Sequence, residues 1–113
     1  MGYILELRKQ VGHRPLIMTC AGVLLLNEKR ELLLQKRADN GLWGYPGGSM
    51  ELGESFKDCA RREVREETGF TVHADRLIAV QDWRKHNVQN YAFGVMKVFI
   101  LCRYESGEFM KNI

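Results

Sequence analysis

Apolar positions along the chain fall into four extended runs and one helical stripe. Residues 15–27, PLIMTCAGVLLLN, are rich in aliphatic side chains and predict a strand. Asn27, Glu28, Lys29 and Arg30 are polar and turn-like. Residues 31–37, ELLLQKR, predict a second strand, paired to the first as a hairpin. Residues 38–48, ADNGLWGYPGG, hold four of the chain's 11 glycines together with Pro46 and predict a loop. From Ser55 to Thr68 the period becomes helical. At about 100° per residue, Phe56, Cys59 and Ala60 share one side, and Lys57, Asp58, Arg61 and Arg65 the other. Ser55 predicts the N-cap, Asp58 the capping-box acid and Gly69 a left-handed stop. Residues 70–83 and 90–104 are again strand-like, and the polar RKHNVQ between them predicts a second hairpin.

The order strand, strand, helix, strand, strand predicts an α+β fold around a mixed sheet. The chain of 113 residues makes a single domain, residues 1–113, large enough for a modest core. One long helix covers one face of the sheet. The last residues, SGEFMKNI, bring no evident second helix for the other face. A chain cut short of that helix accounts for this best. Cover from a second copy in a homodimer and a naturally minimal domain are the alternatives, because an exposed sheet face invites association.

Composition narrows the partners. Net charge is +3, and the basic residues come in short scattered groups such as Arg8-Lys9, Lys36-Arg37 and Arg84-Lys85. That argues against long nucleic acid and leaves small anionic substrates open. Cys20, Cys59 and Cys102 stand far apart without a CxxC pair, which speaks against zinc and for free thiols in a reducing cytoplasm. The N-terminal MGYILELRKQ lacks a signal-like apolar region, and the apolar run at residues 20–26 is too short to span a bilayer, so no membrane partner is expected.

The helix raises the chemical question. Continued toward its C-terminus, the apolar side runs into Glu63, Glu66 and Glu67, with Val64 at its edge. Spaced i, i+3 and i+4, the three carboxylates are neighbours on one surface and repel each other. Either one keeps a proton through a raised pKa, or a hard divalent cation, Mg²⁺ or Mn²⁺, sits among them. A solvated acidic face paired locally with Arg62 and Arg65 is the plain alternative. Just before the helix, Gly47 and Gly48 carry no side chain, so a ligand or ion can approach their backbone closely, and amides near a helix start can hold phosphate oxygens.

Gly48, Glu54, Arg62, Glu63, Val64, Glu66, Glu67, Gly69 and the apolar Phe70 occur at the spacing G-x5-E-x7-R-E-aliphatic-x-E-E-x-G-apolar. This pattern resembles the Nudix box at every fixed position. The resemblance implies an α/β/α sandwich and hydrolysis of a diphosphate bond in a nucleoside diphosphate linked to another moiety, a small nucleotide-type substrate. It implies that Glu66 and Glu67 bind the cation, that Glu63 is a further ligand or the base that activates water, and that the Gly48 carbonyl joins the coordination. Arg62 is expected to orient a box glutamate, and Glu54 to support the site or add a metal-linked acid. Glu63, Glu66 and Arg62 are thus the candidate catalytic residues. Arg37, Trp43 and Gly47 are the candidate substrate contacts. Arg37 either grips a phosphate or is solvated, and Trp43 either stacks on a base or anchors the loop. Trp83 and Tyr91 are read as packing, and His13, His73 and His86 receive no role. A non-catalytic nucleotide-binding or sensing module on the same scaffold is the competing function, and an acidic helix on an ordinary α+β domain is a third.

Overall fold

The computed structural model describes residues 2–12, 14, 16–38, 41–86 and 92–108, and for 83–86 and 92–95 the backbone alone. Its elements are α1 (Gly2–Val11), β1 (Leu16–Leu26), β2 (Gln35–Lys36), β3 (Trp43–Gly44), β4 (Gly47–Ser49), α2 (Phe56–Thr68), β5 (Thr71–His86) and β6 (Ala92–Ser106). The side chains divide cleanly by strand parity: Ala21, Val23 and Leu25 of β1, Val98, Ile100 and Cys102 of β6, and Val72 and Ala74 of β5 are buried, and α2 meets them with Cys59, Ala60 and Val64. Alternate residues point to one face of a strand, so these sets define the face that α2 covers. Each large aliphatic side chain fully buried there contributes roughly 1.5–3 kcal/mol.

Sheet order is β4-β1-β6-β5. β1 runs parallel to β6, from Leu16 opposite Phe93 to Leu26 opposite Arg103, while β4 pairs antiparallel to β1 and β5 antiparallel to β6. The sheet is therefore mixed, as expected. Of the predicted connection RKHNVQ, residues 84–89, residues 84–86 instead continue β5 and 87–89 lie outside the described residues, as do Tyr91 and His13; the side chains of Trp83 and His86 do too. No helix among the described residues is long and apolar enough to cross a membrane.

Two elements differ from the sequence reading. The strand expected at residues 31–37 keeps only its first rungs on β1: Leu26 bridges Leu32, and the Leu33 N–H donates to the Leu25 carbonyl at 2.9 Å. Beyond that point β4 occupies the edge of β1, with Cys20, Ala21 and Gly22 opposite Ser49, Gly48 and Gly47. Gln35 and Lys36 pair instead with Gly44 and Trp43 in a separate two-stranded ribbon. The second difference is α1, an N-terminal helix absent from the sequence reading. Ile4, Leu7, Arg8 and Val11 form its partly buried side, and the Arg8 guanidinium closes its C-terminal end on the carbonyls of Gly12 and Arg14.

Helix α2 begins and ends where its local chemistry directs. The Asp58 N–H donates to Ser55 Oγ at 3.0 Å, and the Ser55 N–H donates back to Asp58 Oδ2 at 3.4 Å. At the other end Gly69 adopts φ 85°, and its N–H closes on the Arg65 carbonyl at 3.0 Å. Cys20, Cys59 and Cys102 are all free thiols, and burial pushes Cys59 and Cys102 up to about 11. Removing the cap by Ser55→Ala should lower the unfolding free energy by about 1 kcal/mol. Urea unfolding should show this as a lower midpoint with an unchanged slope.

Candidate functional site

The site lies where α2 crosses the edge strand β4, and glycine makes the approach possible. A Cβ on Gly48 would stand 2.6 Å from Glu63 Cδ and 2.7 Å from both its oxygens. The Glu63 carboxylate therefore rests directly on the Gly48 backbone. Gly47 has φ 151°, and a Cβ there would meet the Ala21 carbonyl oxygen at 2.2 Å. Its N–H donates to Glu67 Oε2 at 3.3 Å, and Gln35 Nε2 on β2 donates to Glu67 Oε1.

Arg62 is the hub. Its Nε and Nη2 fork onto the Glu54 carboxylate at 2.5 and 3.0 Å. Nη1 reaches Glu63 Oε1 at 2.9 Å and Glu66 Oε1 at 3.2 Å, and Nη2 also donates to the Ser49 carbonyl at 3.1 Å. These bonds engage all five guanidinium N–H groups. They raise the Arg62 pKa well above its ordinary value, Glu54 contributing most, and they hold the Glu54 carboxyl below the usual carboxylate range. Glu54 is itself steadied by the Glu51 N–H at 3.0 Å.

The three helical glutamates are not equivalent. Glu63 is nearly enclosed, with 12% of its side chain exposed, whereas Glu66 has 59% exposed. The inward line is Glu63 and Glu67, four residues apart, and the expectation that Glu66 shares it is corrected. Glu66 stands one residue, about 100°, around the helix from Glu67, which takes it out to the rim. Burial, and after it the contact with Glu63, pushes the Glu67 carboxyl up to about 7. Two adjoining carboxylates, one of them poorly solvated, cannot both carry charge cheaply without a cation.

That observation tests the fit of the divalent cation implied by the sequence. The donors at hand are carboxylate and carbonyl oxygens, which suit Mg²⁺ or Mn²⁺. Three carboxylates, Glu54, Glu63 and Glu66, bond one guanidinium, and a fourth, Glu67, adjoins Glu63, so negative charge is in excess. Among the described residues no three acidic, histidine or cysteine side chains form a ready-made cage. Glu66 is bound to Arg62 in this arrangement and would have to leave it to become a ligand. The residues fit the ion in chemistry, with one arm turned away.

Gly47, Gly48, Glu54, Arg62, Glu63, Glu66 and Glu67 thus come together. Arg37 lies exposed on the turn between β2 and β3, where its N–H donates to the Leu42 carbonyl at 2.7 Å. Trp43 is 65% exposed, so it does not anchor the loop in the core. Gln35 is the contact that sequence reasoning missed. Its only signal is a polar residue ending an aliphatic run.

Comparison with known proteins places this geometry in context. The family model for the NUDIX domain matches residues 17–112. An NAD-capped RNA hydrolase, NudC, of Vibrio parahaemolyticus is 37% identical over 97 residues, covering 85% of this chain and 35% of the relative. A MutT-like protein of Streptomyces ambofaciens is 37% identical over 90 residues, covering 80% of this chain and 53% of the relative. The crystal structure of an ADP-ribose pyrophosphatase from Streptococcus suis superposes with a TM-score of 0.65 at 36% identity, covering 85% of this chain and 66% of that one. The chain spans about half or less of the length of the curated relatives it matches.

Gly48→Ala should separate site geometry from stability. The added methyl meets the far end of a flexible side chain, so Glu63 yields and the fold survives. Calorimetric titration with Mn²⁺ should show affinity weakened by about tenfold or more, equivalent to ~1.4 kcal/mol, with the unfolding midpoint little changed.

Proposed function

This chain belongs to the Nudix family, and from that premise we propose that it hydrolyses the diphosphate bond of a nucleoside diphosphate linked to another moiety, with Mg²⁺ or Mn²⁺ as cofactor. The observation that carries the proposal is the pair of adjoining carboxylates, Glu63 and Glu67, seated on Gly48 and Gly47. The relatives named above act on ADP-ribose and on NAD-capped RNA, and both substrates carry a diphosphate between two organic groups.

Glu63 and Glu67, with the Gly48 carbonyl, would hold the cation. Glu66 is the third ligand or, released from Arg62, the acceptor for the proton of the attacking water. A bound divalent ion neutralises diphosphate oxygens and lowers the pKa of water. Water adds to one phosphorus, the anhydride P–O bond breaks, two phosphate monoesters leave, and the proton passes to the carboxylate. Arg62 touches no reacting atom in this scheme; it fixes Glu63 and Glu66 through charge-assisted bonds. Arg37, Trp43 and Gly47 remain the candidate substrate contacts, and the Gly47 amide is free for phosphate only if Glu67 turns from it toward the ion.

A panel of ADP-ribose, NAD-capped RNA and nucleoside triphosphates, assayed with and without Mg²⁺ or Mn²⁺, tests the reading. Release of nucleoside monophosphate should depend on the metal. Glu67→Gln should cut turnover by at least about 100-fold without lowering the unfolding midpoint. Binding with no release across the panel would favour a non-catalytic nucleotide module, and wild-type turnover in the variant would remove Glu67 from the site.

A further inference from the structure

Helix α1 lies outside residues 17–112, which match the family model, yet it is fastened to the loop that leads into the acidic site. The first four N–H groups of a helix have no partner within it, and negative charge beside them is stabilising. The first turn of α1 has no acidic side chain of its own. Glu51, on the loop before α2, supplies one: the Tyr3 N–H donates to Glu51 Oε1 at 3.0 Å. Gly2 closes on the same oxygen, since a Cβ there would stand 3.4 Å from it. The remainder of α1 sits lightly on the body. It buries no residue completely, and a cleft of about 490 Å³, lined by Tyr3, Glu6, Leu7, Gln10, Glu51 and Leu52, opens between helix and loop.

The loop passes this contact on. The Met50 N–H donates to the Thr19 carbonyl at 3.1 Å, which fixes the start of the loop on β1. The Glu51 N–H then donates to Glu54 Oε1 at 3.0 Å, and the Glu54 N–H donates to the Glu51 carbonyl at 3.2 Å. Gly53, at φ 82°, makes the turn between them. Glu54 in turn receives the fork of Arg62, whose Nη1 reaches Glu63 and Glu66. Glu51 is thus held through its side chain by α1, and its backbone holds the carboxylate that orients Arg62.

We propose that Glu51 is a positioning residue for the acidic site and that the first turn of α1 is the clasp that holds it. The inference rests on the diphosphatase reading only for its consequence at the cation. A carboxylate that merely capped α1 could be released without any change at Arg62. A clasp couples the two ends, so loosening α1 loosens the Glu54–Arg62 fork and, through it, the placement of Glu63.

The test isolates one hydrogen bond. Tyr3→Pro removes the N–H that Glu51 accepts, at a helix turn that tolerates proline, whereas Tyr3→Ala keeps it. Glu51→Ala removes the acceptor, and Glu51→Gln retains an acceptor oxygen. Hydrogen exchange of the Glu51 N–H and of Arg62 Nε–H, followed by NMR on the chain without metal, should be about tenfold faster in Tyr3→Pro and Glu51→Ala. It should stay near wild type in Tyr3→Ala and Glu51→Gln. Calorimetric titration should show Mg²⁺ affinity about threefold to tenfold weaker in the first two variants alone. If Glu51→Ala does not fold, Tyr3→Pro carries the result. Unchanged exchange in Tyr3→Pro overturns the clasp, and faster exchange with unchanged Mg²⁺ affinity overturns the positioning role. Faster exchange in a chain whose wild type binds no Mg²⁺ upholds the clasp and sinks the diphosphatase reading instead.

Discussion

A single guanidinium organises the acidic half of this molecule. Arg62 ties the loop before α2, through Glu54, to two glutamates on the helix itself and to the Ser49 carbonyl at the end of β4. With 23% of the Arg62 side chain exposed against 15% for Glu54 and 12% for Glu63, the network is largely withdrawn from water. Removing one member leaves its partner charge without its charge-assisted bonds in a partly buried place, which is destabilising. Arg62 therefore cross-links loop, strand and helix and fixes Glu54 and Glu63 where the two elements cross.

The glycines are the complementary constraint. Gly48 lets the Glu63 carboxylate lie on the backbone of an edge strand, and Gly47 allows β4 to pass within reach of the Ala21 carbonyl. Cys59 adds to the same close approach from the helix side, its thiol lying 3.6 Å from the Gly48 carbonyl and 3.7 Å from that of Ser49. A larger residue at position 59 would lift α2 off β4 and loosen every contact that Arg62 makes there. The small residues at the crossing thus serve the site as much as the core.

Much of this was legible in the sequence where the determinants are local. Ser55, Asp58 and Gly69 set the bounds of α2 by hydrogen bonds made within a few residues, and the Nudix spacing placed the acidic side chains. What escaped depends on distant partners. Residues 31–37 carry a strand-like pattern, but only the tertiary fact that β4 holds the edge of β1 explains why most of them leave it. Gln35 gains its meaning from Glu67, 32 residues away. Glu66 was placed inward because three glutamates at i, i+3 and i+4 span a wide arc, and the sequence does not say which part of that arc meets the sheet. The helix α1 was overlooked because a stripe of Ile4, Leu7 and Val11, interrupted by charge, buries no residue completely.

The unequal glutamates bear on how the proposed diphosphate substrate would be received. The chain is positive overall, at +3, yet the crossing of α2 and β4 gathers four carboxylates with only the Arg62 guanidinium bonded among them. A site so acidic repels a diphosphate on its own. Arg62 cannot reverse the sign, since all five of its N–H groups already bond within the protein. Protonation of Glu67 relieves one charge and leaves the rest. In the proposed reaction the cation would supply the compensating positive charge, and among the described carboxylates bonded to Arg62 the one held by a single bond and open to solvent is Glu66. The arm on the rim would be the one able to respond to that ion.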